Sequence, residues 1–278
     1  LLFTEMINAS SLKQGLGKMK IKQLEWDKGP VGVQIFDNRL FAVSEAAKQA
    51  EDYGAYLIDI NMGCPVKKIA KKGGGSALIK DRKLAVELVK RVVESVEIPV
   101  TVKTRLGWDN KEENIEDFLL RLQNAGASMI TLHGRTRKQG FSGKADWQMI
   151  GNLKDKLEIP LIANGDIKNP SDAINCLKQT NADGVMIGRA ILGSPWKLGE
   201  IDYAIKEIKG FKEPNIEEKL MLIIEHLEEL IKEKGDHGLL IARKHISWTC
   251  KNFSGATKLR ENLVRSNDHR EVKELINL

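Results

Sequence analysis

Asn61-Met62-Gly63-Cys64-Pro65 sets a polar amide and a thiol three residues apart, directly after the apolar run Tyr56-Leu57-Ile58-Asp59-Ile60. A thiol can serve as a nucleophile or hand a proton to a reacting carbon. A free cysteine is just as often a small buried hydrophobe, and spacing alone leaves the two readings level for Cys64. Other apolar runs end in chemistry too. Lys103 and Arg105 close one of them and, being two apart, share a face of a strand. His133 closes another, and Gln34 lies near the end of a third. Asn164-Gly165-Asp166 and Gly188-Arg189 follow two more, and both suit backbone contacts to an anion. Singly, each has a plain structural reading: a loop cap for Gln34, an internal ion pair for Lys103, a hydrogen-bonded core histidine for His133. Together they define a pocket of amides, cations and an imidazole.

These residues need a scaffold that brings strand ends together. Seven apolar runs read as strands: residues 1–6, 31–36, 56–61, 99–105, 129–133, 160–164 and 184–188. Helical patterns separate them, one starting at Ser44, one at Asp81, and two more at 115–124 and 171–178. The runs Gly54-Ala55-Tyr56-Leu57, Gly126-Ala127-Ser128-Met129 and Ala182-Asp183-Gly184-Val185 repeat one helix-end-to-strand pattern. Glu97-Ile98-Pro99-Val100 and Glu158-Ile159-Pro160-Leu161 repeat another. Alternation of this kind predicts βαβ units, a parallel sheet and an α/β fold. A closed parallel barrel of the TIM (β/α)8 type needs eight strands; its active residues stand at the carboxyl ends of the strands, and its phosphate site follows the last two. With seven strands visible, the expectation is such a barrel lacking its first strand. The rival, an open doubly wound sheet, is weakened because no G-x-G-x-x-G follows any strand.

The 278 residues are 42% hydrophobic, enough for one large core and a smaller one. The net charge of +6 permits an anionic partner without requiring one. The three cysteines, Cys64, Cys176 and Cys250, form no C-x-x-C, so neither a disulfide framework nor a metal site is expected, and a reducing, cytoplasmic setting is the simplest reading. No apolar run approaches the ~20 residues of a membrane span. The chain opens on Leu1-Leu2-Phe3 rather than Met, so upstream residues, including a targeting segment to an organelle, are left open.

Residues 64–91 hold nine Lys/Arg against two acids and include Gly73-Gly74-Gly75-Ser76. The stretch lacks the P-loop signature and reads either as a solvated basic loop or as a lid that meets phosphates. A helical pattern over 198–208 closes the barrel region, residues 1–210. Gly210 to Pro214 reads as a linker, and 211–278 as a small all-α domain. Asn215, with Glu218 three residues on, reads as the cap of its first helix. Residues 234–270 carry eight basic residues and three acids, and Arg243-Lys244-His245 to Lys251 reads as one basic helix stopped by Gly255. Such a helix, with Trp248 beside it, suits a nucleic-acid backbone as well as it suits ordinary packing.

Taken in order, the motifs resemble the tRNA-dihydrouridine synthase family, closest to its bacterial B-type branch. The carriers include Val33-Gln34-Ile35-Phe36, Asp59-Ile60-Asn61-Met62-Gly63-Cys64-Pro65, Val102-Lys103-Thr104-Arg105-Leu106-Gly107-Trp108, Leu132-His133-Gly134-Arg135-Thr136-Arg137, Ala163-Asn164-Gly165-Asp166-Ile167, Met186-Ile187-Gly188-Arg189-Ala190 and Arg243-Lys244-His245. The set is specific as an ordered whole and covers nearly the entire chain. The family's Pro-Met-Ala-like first-strand segment is absent.

The resemblance implies FMN-dependent reduction of a tRNA uridine to 5,6-dihydrouridine, with NADPH as the usual reductant. It implies that Cys64 is the catalytic proton donor to C5. Gln34, Lys103, His133, Asn164, Gly165, Asp166, Gly188 and Arg189 would bind FMN. Asn61, Arg105 and Lys244 would bind substrate. It implies tRNA and NAD(P)H as partners; beside it, no membrane, no metal and a monomer are expected. Two other readings stand beside it: a flavin barrel acting on a small pyrimidine, and a non-catalytic RNA-binding protein.

Overall fold

The structure is a computed structural model, and it describes residues 1–13, 29–109 and 114–277. The chain packs as two compact units. One comprises Leu1–Asp166 and Asn175–Met186, the other Ile167–Ile174 and Ile187–Leu278. Compactness therefore divides the chain upstream of the composition change at residue 210.

The first unit is built on a parallel sheet. Its strands are β1 (Leu2–Phe3), β2 (Ile7–Asn8), β3 (Val31–Phe36), β4 (Leu57–Asn61), β5 (Val100–Arg105), β6 (Met129–His133), β7 (Leu161–Asn164) and β8 (Gly184–Met186). They lie side by side in chain order, with β1 and β2 both pairing with β3. Of the strand expected over residues 1–6 only Leu2–Phe3 is strand; Ile7–Asn8, just beyond those bounds, takes the same position beside β3. Between the two lies Thr4, whose hydroxyl accepts the Gln34 amide hydrogen at 3.1 Å. The sheet has the seven positions expected, and among the described residues no ladder joins its first and last members.

Register and the two-residue period of a strand separate the side chains into two sets. Val33, Ile35, Ile58, Ile60, Val102, Ile130, Leu132, Leu161 and Ala163 alternate onto one face and are almost fully buried. Helices cover apolar faces of this kind in parallel sheets. Their buried stripes include Val43, Ala46, Ala47 and Ala50 on α2 (Leu40–Asp52), after the short α1 (Ala9–Lys13). Leu88, Val89 and Val92 do the same on α4 (Arg82–Val93), which follows the four-residue α3 (Lys67–Ala70). Phe118, Leu119 and Leu122 do so on α5 (Ile115–Asn124). The opposite face carries Gln34, Asp59, Asn61, Thr101, Lys103, Arg105, Thr131, His133 and Asn164. A sheet this polar on one side, yet largely buried there, is the interior of a barrel-type fold.

Local capping accounts for several element starts. Asp81 accepts the Leu84 amide hydrogen at 3.1 Å, as expected of a cap. Ser44 does not start α2. The helix begins at Leu40 with Arg39 in the cap position, and Asp37 accepts the amide hydrogens of Asn38 and Arg39 just before it. A helix absent from the sequence reading, α6 (Trp147–Lys154), is capped by Asp146. The next helix, α7 (Pro170–Thr180), precedes β8.

The second unit contains α8 (Lys197–Ile205), α9 (Ile216–Lys234), α10 (His237–Thr249), α11 (Ala256–Arg265) and α12 (His269–Asn277). Asn215 and Glu218 form the expected reciprocal cap of α9. Leu227, Leu239, Ile246, Cys250, Leu263 and Val272 form its core. The basic helix ends at Thr249, not at Lys251, and Gly255 opens α11 rather than stopping α10. Cys250 leaves the helical conformation and turns its thiol toward the Ala256 carbonyl, 3.4 Å away. Lys244 and Lys251 therefore do not share a helix face. Among the described residues no helix is long and apolar enough to cross a membrane.

Candidate active site

Cys64 lies just past the end of β4 in a turn held from three sides. The side-chain oxygen of Asn61 accepts the amide hydrogens of Gly63 (3.1 Å) and Cys64 (2.9 Å). Arg105, itself buried, donates from Nε to the Gly63 carbonyl at 2.7 Å. The Cys64 carbonyl accepts the Ser76 amide hydrogen at 3.2 Å. The glycine run thus packs against the cysteine, while Lys67, Lys68, Lys71 and Lys72 stand exposed around α3.

Gly75 is the tightest of these contacts. Its φ of +58° lies in the left-handed region, and a Cβ there would sit 3.1 Å from Cys64 Cβ. Gly75→Ala is expected to cost about 1–3 kcal/mol of stability, read from urea unfolding, through backbone strain and the displaced cysteine.

Lys103 faces Asn61 across the β4–β5 ladder. Its ammonium passes the intervening strand β6 to donate to Asn164 Oδ1 at 3.0 Å. Asn164 in turn donates to the Met186 carbonyl at 2.8 Å. Burial pulls the Lys103 pKa down to about 8, with Arg105 adding to the shift and Asp59 and Cys64 opposing it.

His133 pairs in register with both Arg105 and Asn164. Burial, then the cations Arg105, Lys103 and Arg135, depress its pKa to about 3, so the imidazole is neutral near pH 7. Arg135 Nη1 lies 3.3 Å from His133 Nε2. A guanidinium only donates, so that ring nitrogen accepts and the proton sits on Nδ1.

Arg135 is a further component that the sequence reading quoted without a role. It is almost fully buried and donates to Asp166, at 2.6 and 2.7 Å to the two carboxylate oxygens, and to the carbonyls of Ser142 and Gly143. Asp166 also accepts the Ala145 amide hydrogen at 2.7 Å. The Asp166 carboxylate therefore ties down the loop after β6, and only its backbone is suited to an anion. Gly165 adjoins it with a φ of +116°, and a Cβ there would lie 2.8 Å from His133 Cδ2.

Arg105 holds that same loop by donating to the carbonyls of Thr136 and Gly140, and its guanidinium lies over the Phe141 ring. Asp59 and Thr101 were the other residues left without a role. Both are buried, and they are joined by a 2.7 Å hydrogen bond. The only sequence signal was a carboxylate inside an otherwise apolar strand.

The structure thus brings Gln34, Asn61, Cys64, Lys103, Arg105, His133, Asn164, Gly165 and Asp166 together at the carboxyl ends of β3 to β7. Gly188 and Arg189 belong to the second unit, where Arg189 opens a 3-10 turn, Arg189–Ile191. Lys244 is exposed on α10. Among the described residues no three His, Cys, Asp or Glu side chains are grouped to hold a metal ion.

The site has the donors a flavin's acceptor edge needs: an ammonium that, among the described residues, donates to Asn164 alone, two amides, and a neutral imidazole with a defined tautomer. On that chemistry the residues fit an isoalloxazine ring.

Comparison with known proteins gives the family. The family model described as "Dihydrouridine synthase (Dus)" matches residues 1–278. The chain is 49% identical, over 99% of its length and 78% of the relative's, to a protein of Synechocystis sp. named "Probable tRNA-dihydrouridine synthase 1". It is 39% identical to a "Probable tRNA-dihydrouridine synthase" of Rickettsia bellii, over 99% of this chain and 86% of that one. It is 36% identical to "tRNA-dihydrouridine synthase B" of Pseudomonas putida, over 94% and 78%. Among solved structures, morphinone reductase in complex with tetrahydroNAD superposes with a TM-score of 0.51 at 13% identity, covering 78% of this chain and 81% of that one. That likeness supports the TIM-barrel-type fold of the first unit's sheet and helices. The sequence matches go further: the chain belongs to the dihydrouridine synthase family.

Proposed function

We propose that this chain reduces a uridine of tRNA to 5,6-dihydrouridine, using FMN and, as reductant, NADPH. The observation that carries the reading is Cys64 fixed by Asn61 just past a strand end, with Lys103 in register with Asn61 on the next strand and the neutral His133 ending the strand after it. The names of the relatives, all tRNA-dihydrouridine synthases, support the substrate.

Gln34, Lys103, His133 and Asn164 would hold the flavin ring, and the backbone of Gly165 and Asp166 its ribityl chain. Gly188 and Arg189 are assigned to its phosphate on the resemblance alone. The chemistry supplied by FMN, when bound and reduced, would be the hydride for C6 of the base. The chain's own part is to place a proton at C5. Cys64 gives that proton from Sγ and regains one from solvent, so the balance is uridine plus NADPH plus a proton to dihydrouridine plus NADP⁺. Lys103 holds positive charge against the electron-rich ring. A uridine inside folded RNA must leave its stack to reach such a site. The exposed lysines around α3, and Lys244, would meet phosphates rather than read sequence.

The depressed Lys103 pKa makes a pH prediction. A negatively charged or electron-rich ring favours the protonated lysine, so binding takes up a proton once the free chain has lost it. FMN affinity is expected to be flat up to pH of about 8 and then to fall by up to about tenfold per pH unit. Flavin-fluorescence titrations from neutral to alkaline pH would show this, and Lys103→Met would flatten the profile.

The reaction itself is tested by offering the FMN-loaded protein free uracil, dihydroorotate and unmodified tRNA. The reading requires dihydrouridine in tRNA, and turnover of the free pyrimidines instead would replace it.

A further inference from the structure

Asp59, Gln34, Asn61 and Cys64 form one continuous line. Gln34 Nε2 donates to Asp59 Oδ2 at 2.6 Å, and Asn61 Nδ2 donates to Gln34 Oε1 at 2.9 Å. Asn61 Oδ1 then accepts the amide hydrogens of Gly63 and Cys64. The two amides in the middle can each face either way, and only their partners settle which. Both ends of this line are fixed by chemistry. Main-chain N–H groups only donate, and the carboxylate of Asp59 only accepts. Every link then has one donor and one acceptor.

We propose that Asp59 is a positioning residue. It acts through Gln34 and Asn61 to set the direction of this hydrogen-bond line, and so fixes the turn that carries Cys64. The inference rests on the role proposed for Cys64, but the geometry it describes does not depend on the reaction.

Two further observations support it. Asp59 is completely buried, and its other oxygen takes the Thr101 hydroxyl at 2.7 Å, so the carboxylate itself cannot swing away. Burial raises the Asp59 pKa. A proton placed on the oxygen facing Thr101 would still leave the oxygen facing Gln34 an acceptor and keep the direction of the line. Take the acceptor away, and Gln34 keeps a donor aimed at nothing. It must turn to find a partner, and Asn61 loses its anchor.

The carboxamide of Asp59→Asn can keep its oxygen toward Gln34 and give its NH₂ to Thr101, whose hydroxyl lies 3.5 Å from the Ile58 carbonyl. Asp59→Leu removes the acceptor at similar volume. Gln34→Met cuts the line one link later and serves where Asp59→Leu does not fold.

The readout is the iodoacetamide alkylation rate of each cysteine in the purified protein, mapped by peptide mass spectrometry. All three cysteines are buried, which makes Cys176 and Cys250 internal controls for general loosening. Asp59→Asn is expected to alkylate at Cys64 within about twofold of the parent, and Asp59→Leu and Gln34→Met about tenfold faster at Cys64 alone, the scale of one lost hydrogen bond.

An unchanged Cys64 rate in the apolar variants overturns the proposal. So does an equal rise at all three cysteines, or an Asn variant as reactive as the Leu variant. Alkylation needs neither flavin nor RNA. A failed relay therefore shows as unchanged alkylation, and a failed reaction assignment as relay-dependent alkylation in a protein that makes no dihydrouridine.

Discussion

Cys64→Ala is expected to lower dihydrouridine formation by about 10²- to 10⁴-fold, the usual contribution of a placed proton donor. Binding of tRNA and of flavin should change little. Among the described residues the turn holds Cys64 through its backbone: Asn61 accepts its amide hydrogen, and its carbonyl accepts the Ser76 amide hydrogen. Alanine keeps both backbone contacts, so the turn survives while the proton is lost. Single-turnover kinetics separate the two half-reactions. Reduction of the flavin by NADPH should proceed normally, and its reoxidation by tRNA should stall. A variant that reoxidises at the parental rate would assign the proton to another group.

Lys103→Met is the second large effect, expected to slow the reduction of tRNA by about 10²- to 10³-fold, as removal of one charge-stabilising donor does elsewhere. The side chain is of similar length, and packing is largely kept. What disappears is the cation and its hydrogen bond to Asn164. Asp59 then loses the positive partner that opposes its burial, so its pKa should rise further. Flavin affinity should fall too, and the fall should be greatest below pH of about 8, where the parent lysine carries its proton. Lys103→Arg keeps the charge but adds bulk at a buried position, so partial recovery of affinity with little recovery of rate is the expected pattern.

Much of this site was legible in the sequence because a parallel sheet writes its active edge into the chain. An apolar run that stops at an amide, a lysine, an imidazole or an asparagine marks a strand's carboxyl end. The runs ending in Asn61, Arg105, His133 and Asn164 all stop there in the structure.

The side chains that hold those residues in place were harder to read. Asp59 lies in the middle of an apolar strand, where period two hides which face it joins until its register with Gln34 and Thr101 is known. Arg135 and Asp166 come from different strand ends, and nothing local announces that one cancels the other's charge. Asp166 was therefore read as part of an anion site although its carboxylate is spent on Arg135 and Ala145.

Helix ends failed for local reasons. Ser44 lies inside the helix Leu40–Asp52, where its hydroxyl donates back to the Phe41 carbonyl instead of capping, and Cys250 left the helix one residue before Lys251. The helix Trp147–Lys154 was missed because its eight residues bury only Ile150 and Leu153, too short a stripe to show a helical period.

The most direct test of the central claim is mass mapping of dihydrouridine in tRNA from three strains: one carrying the gene, one lacking it, and one lacking it but supplied with the Cys64→Ala allele. The account predicts dihydrouridine in the first and its loss at the same tRNA position in the other two. Dihydrouridine restored to the parental level by the Cys64→Ala allele would contradict it.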